Sequence, residues 1–327
     1  DRYGRRVTLL LSLFGGAVAT LGIGLARQLS ILALFTFLVG WLGEMYRPAV
    51  AALIADVVPP EKRTRAYGLL YWVINLGFAV AMMVGGLAAT KSFLSLFLFD
   101  AATMALYGVL VFVKVPETRP DHVDAAPGTA RPGLLDVITD RTFLVFVLLI
   151  FGIALVMWQT GTSAPMDMTA KGLSKSTYGT LFAINGVLIA LLQPRMTSWL
   201  SPKPRAPVLA ISALVFGLGF GLFGFVSSVA GYAVGIAICA LGEIAHLPTS
   251  NTVVADLAPT ALRGRYQGVY RMAWGFASVA APIVGGAVLD GPGYKTLWVG
   301  CGLLMVMVGG CHLAIGPAVR RRAIKRQ

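Results

Sequence analysis

Residues 43–68 read GEMYRPAVAALIADVVPPEKRTRAYG, and residues 242–268 read GEIAHLPTSNTVVADLAPTALRGRYQG. A shift of 200 residues lays the first on the second. Pro48 falls on Pro248, Asp56 on Asp256, Arg63 and Arg65 on Arg263 and Arg265, and Gly68 on Gly268. The correspondence extends outward to Gly85-Gly86 on Gly285-Gly286 and to Arg5 on Arg205. Glu44 meets Glu243 after a slip of one residue. An apolar background does not supply so many polar and glycine coincidences by chance. Both copies lie in long apolar runs that cross in the same direction, so the chain carries a parallel internal repeat, and the repeat defines the architecture.

The composition names the solvent. Of the 327 residues, 57% are hydrophobic and 13% are charged, against about 25% charged in an average soluble domain. Apolar runs recur along the whole chain, each long enough to span a hydrocarbon core of about 30 Å as a helix. A soluble enzyme is excluded, because such runs would face nothing apolar. The net charge of +13 does not indicate nucleic acid, since the Lys and Arg residues fall in short segments between apolar runs rather than along one face. Cys239, Cys301 and Cys311 lie inside apolar runs, and no Cys/His spacing suggests a metal or a disulfide.

Ten membrane helices are expected, at 7–27, 30–58, 62–90, 92–115, 140–164, 175–200, 205–227, 230–258, 261–289 and 294–317. The fold class is an all-α integral membrane protein. An N-terminal bundle covers 1–115, a linker 116–139, a C-terminal bundle 140–317 and a basic tail 318–327. With residue 1 placed in the cytoplasm, alternation puts twenty of the 27 basic residues on the inside and five on the outside, leaving Arg47 and Arg271 within helices. The excess of inside charge orients the chain in a cell membrane with residue 1, the linker and the C-terminus cytoplasmic. The glycine pairs are packing sites first. In the second half two helices precede position 201, whereas nothing precedes position 1 in the first. Two further helices are therefore expected ahead of Asp1, for twelve in two bundles of six.

Charges within the apolar runs are the candidate chemistry. Glu44 and Arg47 share a helix face at a spacing of three, and Glu243 and His246 repeat the arrangement. A charge at bilayer depth costs at least about 2.5–3.5 kcal/mol, so such residues face a cavity or a partner. Burial and a neighbouring cation act on a carboxylate in opposite directions, so a site alternating between them loads and releases a proton, and histidine titrates near neutrality. The alternative is a self-satisfied Glu44–Arg47 pair that only fixes packing. Asp100 and Arg271 are further mid-membrane charges without repeat partners, and His312 is expected near the membrane interface. Tyr46, Trp72, Asn75, Trp158, Gln159, Asn185, Asn251, Tyr270 and Trp274 are candidates to line a mostly apolar small-molecule cavity, with ordinary packing the competing role for each.

Two short motifs make the resemblance nameable. DRYGRR at 1–6, immediately before a helix, resembles the end of the signature G-x-L-x-D-R-x-G-R-R of the major facilitator superfamily, and VPETR at 115–119 resembles that family's P-E-T/S-x-G/R motif. The resemblance covers the whole chain. It implies that the helices carrying Glu44 and Glu243 border a central cavity. It also implies a cytoplasmic gate in which Asp1 meets the N-terminus of the helix starting near Ala261 and Arg5 pairs with Asp56. A helix N-terminus attracts a carboxylate, which supports the first contact. In the second half Ser201 replaces the aspartate while Arg205 and Asp256 remain, so a weaker copy of the gate is expected there.

The direction of transport follows from a further resemblance. Superfamily antiporters carry G-x8-G-x3-G-P-x2-G-G in one helix; here Gly68, Gly77, Gly85 and Gly86 are in place, but Ala81-Met82 replaces Gly-Pro. The equivalent helix of the second half keeps Ala281-Pro282 ahead of its glycine pair. The chain resembles twelve-helix drug:proton antiporters, which implies export of an amphipathic small molecule in exchange for protons, driven by the proton gradient with no cofactor, by a monomer in the bilayer. YRPAV, YWVINLG and GEIAHLP also resemble segments of peptide:proton symporters, which keeps import of peptides as the alternative. A membrane sensor or scaffold is the non-transport alternative.

Overall fold

The computed structural model describes residues 4–89, 93–117 and 133–325, with side chains described for all of these except 78–79, 81–89, 93, 134, 175–176 and 324–325. Asp1, most of the 116–139 segment, and Arg2, Lys91, Arg119, Arg131 and Arg326 lie outside the described residues. The described residues form twelve α-helices and no strand. These are α1 (Arg5–Leu25), α2 (Leu29–Val57), α3 (Arg63–Ala89), α4 (Phe93–Lys114), α5 (Leu134–Ile138), α6 (Arg141–Trp158), α7 (Ser163–Ala170), α8 (Lys175–Leu200), α9 (Arg205–Phe223), α10 (Val229–Leu257), α11 (Arg263–Asp290) and α12 (Tyr294–Lys325). Nine spans among the described residues are long and apolar enough to cross a membrane, with α6 and α7 counted as one, and α3 is a further helix of 27 residues.

The repeat governs the helix bounds. α2 and α10 each run 29 residues and begin 200 positions apart. Each ends in an extended residue and a 3-10 turn, Pro60–Lys62 and Thr260–Leu262, before α3 and α11 begin at Arg63 and Arg263. The prolines of these turns fix the backbone angle that stops one helix and starts the next. Pro48 and Pro248 sit at the same depth inside α2 and α10.

The structure departs from the expected bounds in four places. α5 lies within the expected linker 116–139, and the helix expected at 205–227 ends at Phe223. The expected helix 140–164 is interrupted after Trp158, where Gln159 leaves the helix and its carbonyl accepts from the backbone N–H groups of Ser163 and Ala164 at 3.0 and 2.9 Å. The last helix, expected to end at 317, continues to Lys325. Its basic end is helical because Arg and Ala are strong helix formers and positive charge suits a helix C-terminus. Arg322 of this extension donates to the Asp140 carboxylate, which also caps α6 through the N–H of Phe143 at 3.1 Å.

The chain divides into two compact units. The first holds residues 1–58, 77–133 and 259–267. In it α1 packs on α2 and α4 around Leu9, Leu13, Ala49 and Val111. The second holds 59–76, 134–258 and 268–327. There α9 packs on α10 and α12, α10 on α8, and α12 on α6, around a core that includes Ile153, Phe216, Phe220, Tyr232 and Trp298. Each unit thus takes in a stretch of the other repeat that begins beside its 3-10 turn. The α9–α10 crossing depends on small residues. A Cβ at Gly219 would lie 2.9 Å from the Gly235 carbonyl oxygen, so the glycines allow the close backbone approach that drives helix packing in lipid. Large apolar side chains such as Leu29, Phe37, Leu191 and Ile283 are mostly exposed, as a lipid-facing surface requires.

Candidate functional site

Two aspartates at helix ends gather arginines. In the first unit, Arg5 at the start of α1 places its Nε 3.1 Å from Asp56 Oδ2, and Arg263 at the start of α11 places its Nη1 2.6 Å from Asp56 Oδ1. The carboxylate at the end of α2 is thereby shared by two guanidinium groups. The α1 N-terminus is closed by Glu117, whose Oε1 accepts from the N–H groups of Arg5 and Arg6 at 2.8 and 3.3 Å. Gly4, at φ 91, makes the left-handed bend that precedes this cap. A carboxylate at a helix N-terminus satisfies orphan amides and the positive end of the dipole.

The second unit holds the 200-residue counterpart. Arg63, at the start of α3, places its Nη1 2.9 Å from Asp256 Oδ1, and Arg205 Nε stands 3.9 Å from Asp256 Oδ2. The Nη1 of Arg205 donates instead to the Ser201 carbonyl at 2.9 Å. Beside this group the Thr64 and Thr252 hydroxyls meet at 3.0 Å, and Ser201, where the first half has an aspartate, donates to the Glu61 carbonyl at 2.7 Å. In each nest one arginine, Arg263 at Asp56 and Arg63 at Asp256, comes from the other sequence repeat. Arg63 and Arg263 entered the sequence reading only as repeat markers and topology charges. Their correspondence across the 200-residue shift is the sequence signal for a fixed partner, but no local spacing names that partner.

Midway along α10 lies the buried acid. Glu243 is 9% exposed. Its Oε1 accepts from the Tyr71 hydroxyl, and its Oε2 accepts from Asn185 Nδ2 at 3.1 Å. The carboxylate borders a cavity of about 30 Å³ with Thr160, Phe182, Phe216, Phe220 and Cys239, room for about one water. Tyr71 and Asn185 are neutral donors, so they hold the ionised acid by hydrogen bonds, while the protonated acid keeps an acceptor oxygen. Tyr71 escaped the sequence reading because one hydroxyl in an apolar helix carries no spacing signal.

His246 follows Glu243 by one turn and is fully buried. Its Nδ1 lies 3.0 Å from Ser212 Oγ, and its ring is 5.8 Å, centre to centre, from that of His312. His312, expected at the membrane interface, is 1% exposed and packs 5.7 Å from the Phe146 ring. It lies inward because α12 continues thirteen residues past it.

The other candidates are scattered. Glu44 and Arg47 pair with each other at 3.2 Å on α2, with side chains 67% and 44% exposed. Asp100 is exposed on α4. The Arg271 guanidinium lies 5.6 Å from the Tyr270 ring centre. Of the nine cavity candidates, Asn185 borders the small cavity beside Glu243. Trp72 donates to the Ala190 carbonyl at 2.8 Å, Asn75 to the Tyr71 carbonyl at 2.9 Å and Asn251 to the Leu247 carbonyl at 2.8 Å. Gln159 donates to the Ala281 carbonyl at 2.9 Å and accepts from Ser163 at 2.6 Å, and the Tyr270 hydroxyl meets Ser250 at 3.0 Å. Tyr46 packs against the first unit's core, Trp158 is 43% exposed, and Trp274 is half-buried. A further buried acid went unread: Asp167 at the end of α7 accepts from Lys171 at 3.0 Å, Tyr232 at 2.5 Å and Trp298 at 2.8 Å.

The family model for the Major Facilitator Superfamily matches residues 1–166 and 146–325. The chain is 26% identical over 313 residues to the uncharacterized MFS-type transporter YhjO of Bacillus subtilis (strain 168), covering 94% of this chain and 76% of that protein. It is 27% identical over 350 residues to a Na(+), Li(+), K(+)/H(+) antiporter of Planococcus maritimus, covering 97% and 80%. Multidrug resistance protein MdtH of Enterobacter sp. (strain 638) is 25% identical over 291 residues, covering 89% and 72%. Among solved structures, the human organic anion transporter MFSD10 (TETRAN) superposes with a TM-score of 0.83 at 18% identity, over 94% of this chain and 77% of that one. FucP in the outward conformation superposes with a TM-score of 0.75 at 14% identity, over 94% and 83%.

Proposed function

Because the chain belongs to the Major Facilitator Superfamily of membrane transporters, we propose that it exports amphipathic small molecules in exchange for protons, with Glu243 as the proton carrier. The observation that carries this proposal is the buried Glu243 carboxylate held by Tyr71 and Asn185. An acid within a membrane helix is costly, and such residues mark proton and substrate routes. Its partners serve both protonation states. Loss of the proton frees an anion that draws on the Tyr71 and Asn185 donors, and gain of the proton releases them. Those donors sit on α3 and α8, so the charge on Glu243 sets how strongly three helices hold together. Glu44 is given no proton role, because Arg47 already neutralises it.

The aspartate nests act as the cytoplasmic gate in this scheme. Asp56 holds Arg5 of its own repeat and Arg263 of the other, and Asp256 holds Arg205 and Arg63 likewise. Opening breaks the pairs between repeats and leaves the pairs within them. The excess of basic residues on this side supports a cytoplasmic position for these nests, the linker and the C-terminus in a cell membrane.

The multidrug name of MdtH favours amphipathic compounds as cargo. The name of the Planococcus maritimus relative favours a second reading, exchange of monovalent metal cations for protons. One experiment separates them. Proteoliposomes carry a pH dye and an acid interior, and ethidium, sodium chloride or a dipeptide is added outside. Proton exit on ethidium addition alone is the expected result. Exit on sodium addition transfers the exchange to metal cations, and no response to either rejects antiport.

A further inference from the structure

At the end of the second unit that carries Arg205 and the last turns of α12 there is a cavity of about 800 Å³. Its walls include Phe146, Leu209 and Ile315, and its ionisable side chains are Lys203, Arg205, Asp256, Arg320, Arg321 and His312. His312 is the inward member of this set. Behind it stands His246, and one turn further along α10 stands Glu243. α6 faces the two imidazoles with Phe146 and α9 with Ser212 and Phe216. The ionisable groups along this line are therefore the cavity set, the two histidines and Glu243, with Tyr71 and Cys239 beside the last.

The hydrogen bonds of Ser212 fix the His246 tautomer. Ser212 has one hydroxyl proton, and it donates to the Leu209 carbonyl at 2.9 Å. Toward His246 it is an acceptor, so Nδ1 carries the proton and donates to Ser212 at 3.0 Å. In the neutral ring Nε2 is then a bare lone pair. That Nε2 is buried with no hydrogen-bond partner among the described residues, and so is Nε2 of His312. A buried polar atom left unpaired costs about 1–3 kcal/mol. Two such atoms on rings 5.8 Å apart are an arrangement with a use for the vacant position.

We propose that His312 and His246 form a proton relay between Glu243 and the cavity at the basic end of α9 and α12. The relay rests on the assignment of Glu243 as the proton carrier. Outbound from Glu243, the carboxylic acid gives its proton to His246 Nε2, one turn along α10, through a water admitted past Phe216, leaving a carboxylate and an imidazolium. The imidazolium passes that proton to His312, and His312 releases it to cavity water. Both histidines end neutral, and the net change is one proton moved. Inbound transfer reverses each step. Phe216 borders the Glu243 cavity and stands edge-on 6.4 Å from the His246 ring, so its rotation opens or closes the step between them.

The test follows the Glu243 carboxyl by infrared spectroscopy in lipid nanodiscs after an acid jump, which needs no transported solute. The band of the protonated acid is assigned by its loss in Glu243→Gln. In His312→Ala and His312→Gln the band rises about 100-fold more slowly than in wild type, the scale of losing a positioned proton-transfer group. Added imidazole, which the cavity has room to admit, restores the rate in His312→Ala and not in His312→Gln, which fills the space. A structural role for His312 would give no such rescue. Wild-type rates in both variants, or slow rates that imidazole leaves unchanged in His312→Ala, overturn the relay while Glu243 keeps its role. Absence of the Glu243 band in wild type removes the proton carrier itself, and the relay with it.

Discussion

α2 and α10 are two copies of one 29-residue helix, with prolines and aspartates in register, and they hold their central acids in opposite settings. Glu44 lies exposed beside its own arginine, whereas Glu243 is buried against a tyrosine and an asparagine. The one-residue slip does not account for this. In register, Glu44 corresponds to Ile244, which is fully buried, and Glu243 to Gly43, which is exposed. The packing differs instead: α10 packs on α8, α9 and α12, whereas α2 packs on α1. At the helix ends there is no slip, and Asp56 and Asp256 gather arginines in the same pattern. Duplication has kept the helix-end nests and differentiated the middle.

If the nests are equivalent in kind, their removal should be graded by geometry. Asp56→Ala leaves two buried guanidinium groups without their anion and should destabilise the protein by about 3–5 kcal/mol, read by thermal unfolding in detergent. A double-mutant cycle with Arg263→Ala should give a coupling of about 1–3 kcal/mol; strictly additive losses would show that the 2.6 Å contact carries nothing. Asp256→Ala should cost about 2 kcal/mol, because its close contact is to Arg63 and Arg205 stands further off at 3.9 Å. Equal losses at the two aspartates would erase the difference between the nests.

The contrast between the acids yields smaller effects. Tyr71→Phe removes one of the two donors to Glu243 and should slow proton-coupled exchange about tenfold, an effect of about 1.4 kcal/mol. An unchanged rate would make Tyr71 a packing residue. Glu44→Gln breaks an exposed pair and should shift stability by less than about 0.5 kcal/mol. A large loss of exchange in that variant would return Glu44 to the transport chemistry.

Much of the fold was legible in the sequence because its causes are local or periodic. Apolar length sets the spans, Pro59-Pro60 and Pro259 set the turns after α2 and α10, and the 200-residue shift sets the order. The break after Trp158 was not legible, although Gly161 lies in it and Pro165 in the first turn of α7, because glycine and proline are common inside membrane helices and did not mark a stop; Gln159 turns the chain there through backbone bonds to Ser163 and Ala164. The helical end of α12 was hidden by its charge, because Arg320–Arg322 read equally as a tail. At the site, the sequence singled out Glu243 and His246 from charge in an apolar setting, and Arg5 and Asp56 through the superfamily resemblance. It did not single out Tyr71, Arg63 or Arg263, whose partners lie 172, 193 and 207 residues away. It also gave Glu44 and Glu243 equal weight, because the helices that pack on α10 and the open face left to Glu44 on α2 are set by tertiary contacts that no local spacing shows.

The most direct measurement is the number of protons moved per ethidium in proteoliposomes bearing the wild type, Glu243→Gln or Glu44→Gln, with membrane insertion checked for each. The expected result is ethidium-dependent proton movement in wild type and Glu44→Gln, and none in Glu243→Gln. Full coupling in Glu243→Gln would contradict the assignment of the proton to the buried acid of α10.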